Sequence, residues 1–186
     1  MRWMWIDRII ELVPRQRLVA VKHVSLAEEH LHDHFPAMPA AGPATANAPA
    51  LPIMPMSLIV EGMAQSAGIL VGHAGAFTEK VILAKVSKAE MLADATPGCT
   101  LRYTATVQHM DAQGAATTGI VELIEPASTP TGFAAPRTVG QIDLMFSHID
   151  NNMAGTAFPA HNFVFGEGFK TLLRSSGIAW NEKVKE

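Results

Sequence analysis

Two side chains have the types and surroundings for proton chemistry: His34, in His34-Phe35-Pro36, and Glu61, inside the apolar run Leu51–Phe77, LPIMPMSLIVEGMAQSAGILVGHAGAF. Glutamate is almost never fully buried without a partner, so a carboxylate in a greasy run calls for something that uses it. Gln65 stands four positions on, on the same helical face, where its amide reaches the carboxylate and orients it by a hydrogen bond. Imidazole titrates near neutral pH, so His34 and Glu61, 27 positions apart, make a base and an acid available. A structural histidine and an incidental polar residue on a core helix are the rival readings.

Other chemistries fit less well. Glu28-Glu29-His30-Leu31-His32-Asp33-His34 offers zinc-type ligands, but its H-x-H-D-H is one residue short of the H-x-H-x-D-H signature. Alternating histidines in a polar loop then read as solvated side chains, and no metal is expected. No G-x-S-x-G occurs, Cys99 has no histidine beside it in sequence, and no glycine-rich phosphate loop is present. No cofactor is called for.

The elements that must position these groups follow from periodicity. From Met56 to Phe77 the run holds no proline and is apolar on nearly every side, which predicts one buried helix about 30 Å long. Pro55 fits its first turn, with Ser57 as an alternative N-cap. Glu61, Gln65 and Ser66 interrupt the run and basic anchors are missing at its flanks, which argues against a membrane span. Trp5–Leu12 and Leu18–Ser25 read as a strand pair around Pro14-Arg15-Gln16-Arg17. Val81–Leu92, Thr100–Met110, Ala116–Ile124 and Val139–His148 read as four more strands, with Leu101, Tyr103, Ala105 and Val107 the clearest alternation. Asp111–Gly114 and Thr96–Gly98 are turns, and Pro126–Pro136 a longer mobile one. Residues 37–50 are Ala/Pro-rich with too little bulk to pack, hence an exposed loop. A hairpin, one buried helix and an antiparallel meander define an α+β protein with its sheet wrapped on the helix. In the C-terminal stretch, Phe169–Leu173 is a candidate short helix ending near Gly177, and 181–186 a frayed tail.

Composition narrows the function classes. A net charge of −3 without a Lys/Arg cluster argues against nucleic acid as a partner. Apolar residues at 48% against charged residues at 17% favour a homo-oligomer that hides apolar surface. The lone Cys99 and an N-terminus without a long apolar segment fit a cytoplasmic protein.

The segments D-R-I-I-E-L-V-P, H-F-P, P-I-M-P, L-I-V-E-G-M-A-Q-S-A-G and A-T-P-G-C-T-L resemble, in this order, the 3-hydroxyacyl-acyl-carrier-protein dehydratases of the FabZ/FabA type. The likeness runs over roughly residues 5–148. It implies a hotdog fold over 1–148 with 37–50 as an insertion and 149–186 as an extension. It also implies a homodimer or higher oligomer in which His34 of one subunit, the base, faces Glu61 of the other, the acid. A glutamate at that position looks more like the FabZ branch. The implied reaction removes water from a (3R)-3-hydroxyacyl thioester to give the trans-2-enoyl thioester, as in fatty-acid biosynthesis. The implied partner is acyl-carrier protein bearing the substrate on phosphopantetheine, with no nucleic acid and no membrane span. Backbone N–H groups of Ala37 and Met56, where the family usually has glycine, are placed to bind the thioester oxygen, and Gln65 completes the site. The two side chains crowd the thioester's approach and the 37–50 insertion lies at the entrance, so rate or substrate size is expected to differ. The ten methionines, Met54, Met56, Met63 and Met91 among them, suit an acyl tunnel or ordinary core packing equally. Lys85, Lys88, Arg102 and Arg137 are candidates for docking an acidic carrier protein, or simply solvated surface. An acyl thioesterase that activates water on Glu61, and a non-catalytic acyl-thioester or carrier-protein binding module, are the alternatives on the same fold.

Overall fold

Alternation sets the sheet in the computed structural model, which describes residues 3–33 (Asp33 by its backbone alone), 35–42, 46–126, 134–149, 155, 158–159 and 161–180. β1 (Arg8–Val13) and β2 (Arg17–His23) form the first hairpin, and Arg15 takes the left-handed turn conformation at φ 62°. α1 (His30–Asp33) is a single helical turn and α2 (Met56–Ala74) the long helix. β3 (Val81–Met91), β4 (Thr100–Met110), β5 (Gly114–Ile124) and β6 (Arg137–His148) follow, then α3 (Glu167–Ser175). All pairings are antiparallel, in the order β1-β2-β4-β5-β6-β3. The α+β architecture expected from the sequence, one sheet wrapped on one long helix, is the one observed.

In β4 Leu101, Tyr103 and Ala105 are buried, and in β5 Ala115, Thr117, Val121 and Leu123. These inward side chains enclose Ile59, Met63, Ile69 and Leu70 of α2, each no more than 2% exposed. At about 25 cal/mol per Å² of apolar surface removed from water, this contact is the main source of folding free energy. The β4–β5 turn is held by Asp111, whose Oδ1 accepts hydrogen bonds from the N–H groups of Gln113 and Gly114 at 2.8 and 3.1 Å.

α2 starts at Met56 as expected and ends three residues before the expected Phe77. Pro55 is the N-cap (φ −57°, ψ 136°) with no side-chain capping bond, and Ser57 lies inside the first turn. The helix stops at Ala74, because Ala76 and Phe77 swing to φ 51° and 57°. That bend buries Phe77, 3% exposed, against Phe165 and Trp180, with ring centroids 5.0 and 4.3 Å away. The contact offsets the cost of two non-glycine residues in the left-handed region, about 1–3 kcal/mol each.

The C-terminal stretch, where sequence offered only a short helix, packs onto the core. Asn162 Nδ2 donates to the carbonyl oxygens of Phe77 and Glu79, both at 2.9 Å. Ser176 Oγ accepts from the N–H of Ile9 at 3.0 Å. Phe165, Phe169, Leu172 and Leu173 are buried. Residues 127–133 of the expected Pro126–Pro136 turn and the expected frayed tail at 181–186 lie outside the described residues.

Close approach of α2 to the N-terminal segment and to β4 rests on Gly62. A Cβ there would stand 2.7 Å from the Tyr103 hydroxyl and 2.8 Å from the Trp5 carbonyl oxygen, and the latter is backbone and cannot swing away. Ala favours a helix over Gly by about 1 kcal/mol, but overpacking costs about 1–3 kcal/mol, so Gly62→Ala is expected to lose stability. A drop in Tm of about 2–8 °C is the predicted thermal-melt result; a rise in Tm would show that the approach is slack.

Candidate active site

Glu61 is the sixth residue of α2, half-buried, and its Oε1 accepts a hydrogen bond from Gln65 Nε2 at 3.0 Å. Gln65 is only 4% exposed, and the rest of its amide is fixed by the N-terminal segment. Its Nε2 also donates to the Trp3 carbonyl oxygen at 2.7 Å, and its Oε1 accepts the Trp5 N–H at 2.8 Å. One acceptor faces one donor and one NH₂ faces two acceptors, so only one orientation of the amide satisfies every contact. The geometry presents Gln65 as the residue that aims the carboxylate, with its polar groups engaged by the protein.

The Glu61 carboxylate lies at the lip of a cavity of about 230 Å³. Ala64, Gln65 and Gly68 of α2 line it from one face of the helix, brought together because the helix turns every 3.6 residues. Val81, Ile82 and Leu83 of the edge strand form one side; Phe146, Val164, Phe165 and Phe169 form the other. The lining is apolar apart from Glu61 and Gln65.

A second cavity, about 300 Å³, opens at the start of α2 between Phe35, Met54, Met56, Ile59 and Met91. Met56 is the first helical residue and 41% exposed, so its backbone N–H is among the first four that have no acceptor within the helix. Ala37 sits in the exposed loop that follows Phe35. That loop is closed by a bridge in which Met38 and Ala48 exchange two N–H···O bonds of 2.9 Å, and by Leu51 N–H donating to Phe35 O at 3.0 Å. His34 lies outside the described residues. Met56 and Glu61 are five positions apart, about 140° around the helix, and the two line different cavities of one chain.

The other candidates sort by their contacts. Among the described residues no group of three His, Cys, Asp or Glu side chains is arranged to hold a metal ion. The His30 ring stands edge-on to Trp5 with centroids 5.1 Å apart. Cys99 is buried and its Sγ lies 3.7 Å from Thr96 Oγ1. Arg102 makes a two-pronged pair with Glu122, 2.7 Å at each bond, and this hydrogen bonding raises the guanidinium pKa above its ordinary value. Arg137 pairs with Glu125 at 3.1 Å and Lys88 with Glu90 at 3.1 Å. Lys85, exposed on the edge strand, has no ion pair among the described residues. No helix of the described residues is long and apolar enough to cross a membrane.

Sequence reasoning did not reach the Trp3 and Trp5 backbone groups or the Phe165 and Phe169 wall. The former are main-chain atoms that carry no residue signature. The aromatic spacing of Phe163, Phe165 and Phe169 was the only available sign of the latter.

A six-stranded antiparallel sheet around one central helix, bearing a carboxylate in the first turns of that helix, defines the class as a hotdog-fold protein. Residues 46–124 match the family model described as a FabA-like domain; Glu61 lies inside the matched segment and His34 before it. The chain is 35% identical over 105 residues to the 3-hydroxyacyl-acyl-carrier-protein dehydratase FabZ of Helicobacter pylori strain P12, covering 53% of this chain and 58% of that protein. The chain spans between 32% and 62% of the length of the curated relatives it matches. Among solved structures, the dehydratase heterocomplex ApeI:P from Xenorhabdus doucetiae superposes at TM-score 0.55 and 13% identity, covering 81% of this chain and 86% of that one. A thioesterase family protein from Silicibacter pomeroyi superposes at TM-score 0.54 and 12% identity, covering 75% and 82%. Likeness at this level of identity establishes the shared fold.

Replacing Gln65 by Leu keeps similar bulk but leaves the buried Trp5 N–H without an acceptor, a loss of about 1–3 kcal/mol. Denaturant unfolding should register that loss, and amide exchange at Trp5 should speed up. Unchanged exchange at Trp5 would contradict the anchoring of its N–H by Gln65.

Proposed function

We propose that this protein dehydrates 3-hydroxyacyl thioesters carried on acyl-carrier protein, working as a homodimer in which His34 of one protomer meets Glu61 of its partner. The observation that carries the reading is the Glu61 carboxylate, aimed by Gln65 at the lip of an apolar cavity beside β3. β3 is an edge strand and exposes Ile82, Leu83 and Val86 at 36–42%. An apolar edge of this kind invites pairing with a second copy. A twofold partner along β3 would cover these residues and bring the start of one α2 towards Glu61 of the other.

In such a site neutral His34 removes the proton from C2 of the substrate, which is weakly acidic because the thioester carbonyl is adjacent. The electron pair forms the C2=C3 double bond as the C3–O bond breaks, and Glu61 gives its proton to the departing oxygen, which leaves as water. Negative charge on the thioester oxygen falls to the N–H groups of Ala37 and of Met56 at the positive end of α2. The apolar cavity takes the acyl chain. Gln65 keeps the carboxylate in line, and Lys85, without an ion pair among the described residues, is the candidate contact for an acidic carrier.

Incubation with a 3-hydroxyacyl thioester should produce conjugated enoyl absorbance. His34→Ala and Glu61→Gln should each lower kcat by about 10²-fold or more with an unchanged circular dichroism spectrum. Free thiol without enoyl product would instead indicate a thioesterase. Saturable binding without turnover would indicate a binding module, and full rate in either variant would overturn the assigned roles.

A further inference from the structure

The stripe Glu61, Gln65, Gly68 and Gly72 runs along one side of α2 at intervals of three and four residues. Small side chains at Gly68 and beyond leave a groove that an acyl chain starting beside Glu61 would follow. The groove ends at Phe165. Its ring is seated on Gly72, where even a methyl group would stand 2.8 Å from the ring's Cε2.

The blocking ring is firmly held. It meets Phe77 at 5.0 Å and Phe169 at 5.7 Å between centroids, and Asn162 pins the preceding turn to the Phe77 and Glu79 carbonyls. Phe165 and Phe169 are 3% and 5% exposed. Val164 is half-buried and lines the same cavity, so it can be trimmed without opening the aromatic cluster.

We infer that the segment Val164–Phe169 is the end wall of the acyl compartment and restricts this protein to short and medium acyl chains. This rests on the dehydratase reading for the position of the thioester, while the wall itself is a matter of steric fit. An apolar cavity of about 150 Å³ accommodates six-carbon benzene, so by proportion about 230 Å³ holds on the order of nine carbons. A longer chain has to displace Phe165 or leave its tail in water, at about 0.8 kcal/mol per methylene left unburied.

The test compares the wild type with Val164→Ala and Phe165→Leu on thioesters of about six, nine and sixteen acyl carbons. Turnover is measured with 3-hydroxyacyl thioesters. Binding is measured by calorimetry with the saturated acyl-coenzyme A thioesters, which lack the hydroxyl and cannot be dehydrated. The wild type should lose at least about tenfold in kcat/KM and in affinity between nine and sixteen carbons, and each variant should recover most of it. Because Phe165→Leu removes a ring from the core, its thermal melt is recorded alongside, and Val164→Ala carries the comparison if the former unfolds. Length-dependent binding that the variants relax supports the wall even if no 3-hydroxyacyl thioester is turned over, a result that would sink the dehydratase reading alone. Turnover or binding that is flat with chain length, or unchanged in Val164→Ala, overturns the wall.

Discussion

The hydrogen bonds of one amide, Gln65, connect the N-terminal segment, the central helix and the only carboxylate in the buried run. Trp3 and Trp5 fix the amide from one side, and the amide fixes Glu61 on the other. Each of these groups would be costly to bury alone, since an unsatisfied buried donor or acceptor costs about 1–3 kcal/mol. Together they are satisfied, so a polar feature persists in a helix that otherwise buries Ile59, Met63, Ile69 and Leu70. The first strand therefore does more than close the sheet: the residues leading into it decide which way the carboxylate points.

The sheet imposes the complementary constraint. β3 packs on α2 yet lies at one edge of the sheet with Ile82, Leu83 and Val86 exposed. The cavity below Glu61 is walled partly by this strand, so its shape depends on whatever lies along β3. Met56 and Glu61 line separate cavities of a single chain. The proposed shared site between two copies would account for both features at once, since it would cover the apolar edge and bring the start of one α2 towards Glu61 of the other.

Much of the fold was legible in the residues because burial leaves a periodic trace. β4 and β5 alternate between buried and half-buried side chains, and their bounds follow the alternation closely. The start of α2 at Met56 was legible, but its end was misplaced where tertiary contacts override local pattern: Phe77 continues the apolar run, yet turns out of the helix to meet Phe165 and Trp180. The Glu61–Gln65 pairing was readable from the i, i+4 spacing. Its anchoring was not, because the partners are backbone atoms 60 and 62 positions away. The wall of the Glu61 cavity was hidden for the same reason, since Phe165 finds Gly72 only once the chain has folded back.

Mixed dimers test the central claim of a site shared between protomers most directly. Subunits carrying His34→Ala and subunits carrying Glu61→Gln, each inactive alone, are co-expressed with different affinity tags and the hybrid is isolated. One of its two sites then has both groups intact, so it should dehydrate a 3-hydroxyacyl thioester at about half the wild-type rate per dimer. A hybrid as inactive as its parents would contradict a shared site and return both groups to a single chain.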